Sequence, residues 1–329
     1  MHLKPWEIAA AAIFLTICLL GGLALATWMV PEPVIGLIRF EGAIDIGSSA
    51  ALNEVIDAAR VDDSVQGVVL EILSPGGLAT SSESVFYSLL QLREVKPVIV
   101  VVDGLAASGG FYIAAAGNRI YAPASSYVGN IGTRGPRPQD PAISPEEISS
   151  GPFKLSGGNR FDRIQQLALV RDAFVGNVVH QRSLAEVNPL NVDAETVAEG
   201  RIYMGSEAVA IGLVDYEGSR SDAIVAAASL AGLDNYRTVD LVGYLGFYSD
   251  EPEQPTEGYS VHSMVERAPP DAIFLLDSRI PLPGSLEGTE LDRHLLKLRN
   301  IDAASLGPIQ SRFGAAFGER IESLTPRGE

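Results

Sequence analysis

Two apolar runs, Val65 to Leu73 and Val98 to Val102, each lead into a glycine turn and then into a helical pattern. Near-continuous apolar strands of this kind belong to parallel sheets, because alternation is lost when both faces are covered. Parallel neighbours need a long crossover, and the helical pattern Ser81 to Leu92 supplies one between the two runs. Val34 to Phe40 reads as a further strand. Ser48 to Arg60 reads as a helix with Ser48 and Ser49 as cap candidates and Leu52, Val55, Ile56 and Ala59 on related faces. Arg119 to Ala122 reads as another short strand. The alternation predicts an α/β domain built of repeated strand–helix units.

The stretch Arg134 to Gly158 interrupts this rhythm. It is rich in Pro, Gly, Ser and acid and is expected to be a long loop, a feature that in compact domains is usually functional. Phe161 to Arg182 then gives a long amphipathic helix. A Gly-Arg-Ile-Tyr turn at Gly200 to Tyr203, a short helix Ser206 to Ala210 and an alanine-rich helix Ser221 to Leu230 follow. From Gly246 the texture turns acidic and Pro-rich, with one further helix expected at Leu286 to Leu298. The expected organisation is an N-terminal anchor over 1–31, a folded domain over 32–245 and a C-terminal extension over 246–329.

Ile8 to Val30 is almost wholly apolar and is bracketed by Trp6 and Trp28. A helix of that length spans roughly 34 Å, enough for a hydrocarbon core of about 30 Å. An uncleaved single-pass anchor is expected, although Ala24-Leu25-Ala26 also resembles a cleavage site. Lys4 before the run and Glu32 after it favour an external main domain at the cell membrane. The formal net charge of −17 argues against nucleic acid as a partner. The single cysteine, Cys18, and four scattered histidines offer neither a disulfide framework nor metal-ligand spacing.

Leu105-Ala106-Ala107-Ser108-Gly109-Gly110-Phe111-Tyr112 places one hydroxyl between a strand and a helix start. The first N–H groups of a helix lack internal partners and suit a developing oxyanion. Ser74-Pro75-Gly76-Gly77 forms a second glycine turn at the equivalent end of the preceding strand, where ligands bind in open α/β sheets. Taken alone, Ser108 reads as a helix cap and the glycines as turn formers. A serine nucleophile needs a base. His180 lies in the long helix without an evident partner, and of the four lysines only Lys154 has an apolar, glycine-bounded setting, Gly151-Pro152-Phe153-Lys154-Leu155. Such an amine must be neutral to act, which at pH 7 costs about 4.6 kcal/mol from an ordinary lysine pKa. Burial is the means of supplying that shift.

These motifs, in this order, resemble the signal peptide peptidase A family of membrane-anchored serine proteases, over roughly Val34 to Gly232. The resemblance implies a Clp/crotonase-like fold and a Ser–Lys dyad. It implies Ser108 as nucleophile, Lys154 as general base, and backbone N–H groups near Gly76, Gly77 and Gly109 as the oxyanion and substrate site. Where many members have Gly-Ser-Ile-Gly, this chain has Gly129-Asn130-Ile131-Gly132, leaving Asn130 as the residue that would orient the lysine. The lysine is followed by Leu155-Ser156-Gly157-Gly158, another departure from the family pattern. The implied function is cleavage of apolar-rich peptides, such as signal-peptide remnants or membrane-protein segments. No metal or organic cofactor is called for, and a homo-oligomer is expected by analogy. A crotonase-type acyl-CoA enzyme and a catalytically silent membrane scaffold are the alternatives.

Overall fold

The computed structural model describes residues 4–29, 32–135, 150, 160–247, 264 and 273–279. Helix α1 runs Pro5–Met29. Its described side chains from Ala9 to Gly22 are all exposed, among them Ile13, Phe14, Leu15, Ile17, Leu19 and Leu20. Thr16 Oγ1 donates to Ala12 O at 2.8 Å, so that hydroxyl is satisfied inside the helix. The fourteen residues Ala9 to Gly22 amount to about 21 Å of helix. Among the described residues no helix is long and apolar enough to cross a membrane. The transmembrane anchor expected from the sequence is thus not established by the fold.

The domain begins with β1 (Val34–Glu41), α2 (Ile46–Val61), β2 (Val65–Ser74), β3 (Gly76–Leu78), α3 (Ala79–Arg93), β4 (Val98–Ala107), α4 (Gly109–Ala114), β5 (Arg119–Ala122) and β6 (Tyr127–Gly129). It continues with α5 (Arg160–Ser183), α6 (Ala194–Ala198), β7 (Ile202–Met204), α7 (Gly205–Ala210), β8 (Tyr216–Glu217), α8 (Arg220–Leu230), β9 (Arg237–Asp240), α9 (Leu241–Tyr244) and β10 (Phe274–Leu276). The main sheet has the order β7-β6-β4-β2-β1-β9, with β5 joining β4 to β8. All its pairings are parallel except β6 with β7.

The apolar runs are continuous because alternate residues enter different cores. Val68, Leu70 and Ile72 of β2, with Val98, Val100 and Val102 of β4, pack beneath α2, α3, α4 and the buried face of α5. Val69, Ile99 and Val101, with Ile35 and Leu37 of β1, face the opposite way, onto Ala223, Ala226, Ala227 and Ala228 of α8. Each fully buried valine or isoleucine stabilises the fold by about 1.5–3 kcal/mol. The alanines of α8 are small enough to let that helix lie close on the sheet.

Several local expectations need adjustment. Helix α2 is capped by Asp45, not by Ser48 or Ser49: Asp45 accepts from Ser48 N at 2.8 Å, and Ser48 Oγ accepts from Asp45 N at 2.9 Å. The reciprocal bonds make a capping box that begins before the expected helix start. The strand expected to stop at Val102 extends to Ala107, and within Gly200 to Tyr203 the turn is confined to the first residues before β7. Gly200, with φ +69°, makes that turn. Residues 273–279, within the stretch expected to be an extension, are built onto β3: β10 pairs antiparallel with it. The compact unit containing the sheet runs through Ile280, and the expected helix 286–298 lies outside the described residues.

One buried ion pair braces the sheet's far edge. Arg182 and Asp215 meet in a bidentate contact of 2.8 and 2.9 Å, both side chains almost fully buried. The remaining donors of Arg182 reach the carbonyls of Gly212 and Asn188, and Asp215 also accepts from Ile120 N at 2.7 Å. With every polar atom of the pair engaged, the desolvation cost is offset where an isolated charge would be untenable.

Candidate active site

Ser108 stands at the carboxyl end of β4, between the strand and α4. Its backbone has φ 53° and ψ −117°, a region that non-glycine residues adopt only under strain. The strain is held by the surroundings. Ser108 N donates to Gly129 O at 2.7 Å, and Ser108 O accepts from Tyr112 N at 2.9 Å. Behind the turn, Tyr112 stacks between Phe86 and Phe174, each at 4.5 Å between ring centroids, and its hydroxyl accepts from Asn177 Nδ2 at 2.6 Å. Burial pushes the Tyr112 phenol well above its ordinary pKa, so it stays neutral. Ser108 is 1% exposed, and among the described residues its Oγ has no hydrogen-bond partner. A buried hydroxyl without a partner is costly, and this one sits in a strained turn at a strand end.

The second glycine turn packs against the turn that carries Ser108. Gly76 has φ +94° and donates its N–H to Ser74 Oγ at 3.1 Å, so its part in the turn is conformational. A Cβ on Gly76 would lie 2.0 Å from Leu275 O and 2.8 Å from Gly109 N, which shows how closely the two turns approach. A Cβ on Gly77 would lie 2.0 Å from Ile44 O. One on Gly109 would lie 2.4 Å from Ser82 Oγ, a hydroxyl held in place by donating to Leu78 O at 2.9 Å. The glycines are therefore required by close packing, which brings the Gly76-Gly77 turn against the backbone that follows Ser108. The sequence offered no sign of Ser82 as part of this frame, whereas Gly129 stands in the Gly129-Asn130-Ile131-Gly132 turn.

Asn130, also at positive φ (53°), follows Gly129. Its Nδ2 donates to Gly200 O at 2.6 Å and to Ser278 Oγ at 3.1 Å, while its Oδ1 accepts from Ser278 N at 2.8 Å. Lys154 lies outside the described residues, as does most of the loop expected over 134–158. Lys96 is far from the site. Its Nζ donates to Ala59 O and Asp62 O, each at 2.6 Å, at the opposite end of β4, and burial lowers its pKa. The ten residues of β4 put about 30 Å between the two ends. Among the described residues the one histidine is His180, exposed on α5.

The fold and this site define a mixed α/β protein with a strained serine at the carboxyl edge of a parallel sheet. The profile of peptidase family S49 matches residues 91–138, the stretch that includes Ser108. A Synechocystis protein that carries only a provisional protease name is 34% identical over 219 residues, covering 61% of this chain and 75% of that protein. Protease 4 of Salmonella typhi is 30% identical over 222 residues, covering 63% of this chain and 34% of its own length. The chloroplastic serine protease SPPA of Arabidopsis thaliana is 30% identical over 227 residues, covering 62% of this chain and 32% of its own. The chain belongs to peptidase family S49, the signal peptide peptidase A family. It spans about a third of the length of the Salmonella and Arabidopsis relatives.

Proposed function

We propose that the chain is a serine endopeptidase in which Ser108 is the nucleophile and Lys154 the general base, on a Clp/crotonase-like scaffold. The observation that carries this reading is the buried, partnerless Ser108 hydroxyl on a strained turn beside Gly76, Gly77 and Gly109. In the first step neutral Lys154 Nζ takes the Ser108 proton as Oγ bonds to a peptide carbonyl carbon. The carbonyl oxygen becomes an oxyanion that accepts from the N–H groups of Gly77 and Gly109. Collapse breaks the C–N bond, and the lysine ammonium returns its proton to the leaving amine. Water, deprotonated by the same lysine, then hydrolyses the serine ester and frees Ser108. In this reading Asn130 Oδ1 turns to accept from the lysine once Ser278 no longer occupies it.

Substrates are extended, apolar-rich peptides of the kind left by signal-peptide removal or found in membrane-protein segments. The exposed apolar surface of α1 supports anchorage of the chain at a membrane, with the peptidase domain on the external side, since contiguous apolar surface of that extent needs a non-aqueous partner. A homo-oligomer would screen such a site from folded proteins. The test is hydrolysis of a quenched fluorescent apolar peptide by the full chain in detergent. Ser108→Ala, Lys154→Ala and Lys154→Arg are each expected to lower the rate at least about a hundredfold with the fold intact. Retained activity in Lys154→Arg, which keeps charge but cannot lose its proton, overturns the dyad.

A further inference from the structure

Residues 273–279, Ile-Phe-Leu-Leu-Asp-Ser-Arg, lie against the two glycine turns, Gly76-Gly77 and the one that follows Ser108. The segment is held along both edges. On one side Asp277 N donates to Pro75 O at 2.7 Å and Ala79 N donates to Ile273 O at 2.8 Å. These bonds flank the register pair Gly77↔Leu275, and hydrogen-bonded pairs alternate along an antiparallel ladder, so Gly77 N–H meets Leu275 O. On the other side Phe274 exchanges both backbone bonds with Arg134, at 2.8 and 2.9 Å. Past the ladder, Arg134 Nη1 donates to Asp277 O at 3.0 Å, and Ser278 occupies both polar atoms of the Asn130 amide. Phe274, Leu275 and Leu276 are all at least 97% buried.

The position of the Leu275 carbonyl is the telling point. Its oxygen lies 2.0 Å from where a Cβ of Gly76 would stand and 3.1 Å from where one of Gly109 would stand. It thus fills the space between the two glycine turns, the space a scissile carbonyl must enter for Ser108 to reach it. Strand pairing on both edges with apolar side chains in pockets is how an extended peptide is bound by a sheet edge. We propose that residues 273–279 are a built-in pseudo-substrate strap that occupies the peptide groove in cis and holds the enzyme inactive until it is displaced. The inference rests on the peptidase reading above for the meaning of the groove, but not for its occupancy. While the strap is in place it takes up Gly77 N–H, the carbonyl site and Asn130 together. One displacement therefore frees the oxyanion donor, the substrate channel and the residue assigned to the lysine.

The test uses the full chain in detergent, with two strap variants: Leu275→Asp, and the milder Ser278→Ala/Arg279→Ala pair, which leaves the buried apolar residues untouched. Binding is read with a fluorescently labelled peptide of sequence Ile-Phe-Leu-Leu-Asp-Ser-Arg in the Ser108→Ala background, where no chemistry intervenes. The peptide is expected to bind at least tenfold more tightly to the strap variants than to the chain with an unaltered strap. A peptide with proline at the third position, lacking the Leu275 N–H, is expected to bind none of them. In the Ser108 background, a fluorophosphonate probe is expected to label Ser108 at least tenfold faster in the strap variants. Equal peptide affinity in all forms, or undiminished binding of the proline peptide, overturns the strap. Should Leu275→Asp lose its fold by circular dichroism, the milder pair decides. Tighter peptide binding without labelling in any form upholds the strap and removes the serine-hydrolase reading. Equal labelling with unchanged peptide binding does the reverse.

Discussion

Ser108 donates its amide to the carbonyl of Gly129 at 2.7 Å, and this bond ties the end of β4 to the end of β6. It is what holds a non-glycine residue at φ 53°. Gly129 is itself at φ +100°, and a Cβ there would lie 2.9 Å from Arg201 O. Gly129→Ala should therefore push the β6 end outward and loosen the turn, releasing strain of about 1–3 kcal/mol that now positions the hydroxyl. The expected result is at least a tenfold loss in the rate of Ser108 labelling by a fluorophosphonate, with unchanged secondary structure by circular dichroism. Labelling at the native rate would show that the bond is incidental.

The pH profile follows from the base. A lysine that must be neutral gives a kcat/KM that is low in acid and climbs about tenfold per pH unit until the amine has lost its proton, then levels. With Lys154 as the proposed base, the sign is that lowering pH protonates the amine and removes activity. A histidine base would instead level off near neutrality, since an ordinary imidazole titrates around pH 6.5. Stopped assays with the quenched peptide over a pH series separate the two, provided that stability is checked at each pH.

Arg182 and Asp215 make a separate prediction about stability. Asp215→Ala leaves a buried guanidinium uncompensated and also removes the acceptor of Ile120 N. The expected cost is about 3–5 kcal/mol in urea unfolding. Replacing both partners, as Arg182→Met with Asp215→Leu, should cost clearly less than either single change, because no buried charge then remains. Equal costs for single and double variants would contradict this account.

Tyr112 is held by packing and by polar contacts that include the 2.6 Å bond from Asn177 to its hydroxyl. Tyr112→Phe keeps the stacking on Phe86 and Phe174 and should lose about 1 kcal/mol, or more if Asn177 is left unsatisfied. Tyr112→Ala should lose about 3–5 kcal/mol by opening a cavity beneath the turn. Both are measured by the shift in urea midpoint at constant slope.

Helix α1 carries the prediction about location. Removal of residues 1–31 should leave the sheet domain folded and move it from the membrane pellet to the supernatant after alkaline carbonate extraction. A shortened chain that still sediments with membranes would place the attachment elsewhere.

The main strands were legible because their chemistry is unambiguous: Val65 to Leu73 and Val98 to Val102 are too apolar for anything but a sheet covered on both sides. Ser108 and the glycine turns were legible because a hydroxyl between two glycine-bearing strand ends is a rare combination. What sequence reading missed has a common cause. The short strands β3, β6, β7 and β10 have three residues each, too few for any periodicity to register. Asp45 does not stand out as a cap because two serines lie nearer the apolar face of α2. The burial of Arg182 is set by Asp215, distant in sequence, and no local pattern announces such a pair. Ile273 to Leu276 is a four-residue apolar island in polar surroundings, and that island was the available sign that the segment packs on something.

β4 is shared along its length, its first half pairing with β5 and its last three residues with β6. The parity that sends Val100 and Val102 to one core and Ile99 and Val101 to the other holds up to an irregularity past Val102, beyond which Ala106 pairs with Ser74 and the last residues with β6. A slip of a single residue in the first half would turn the valines to the wrong side and carry the following turn out of register with Ser74 and Gly129. Placement of the turn that carries Ser108 is thereby coupled to hydrophobic packing: a misthreaded copy of this chain would lose its core together with that turn.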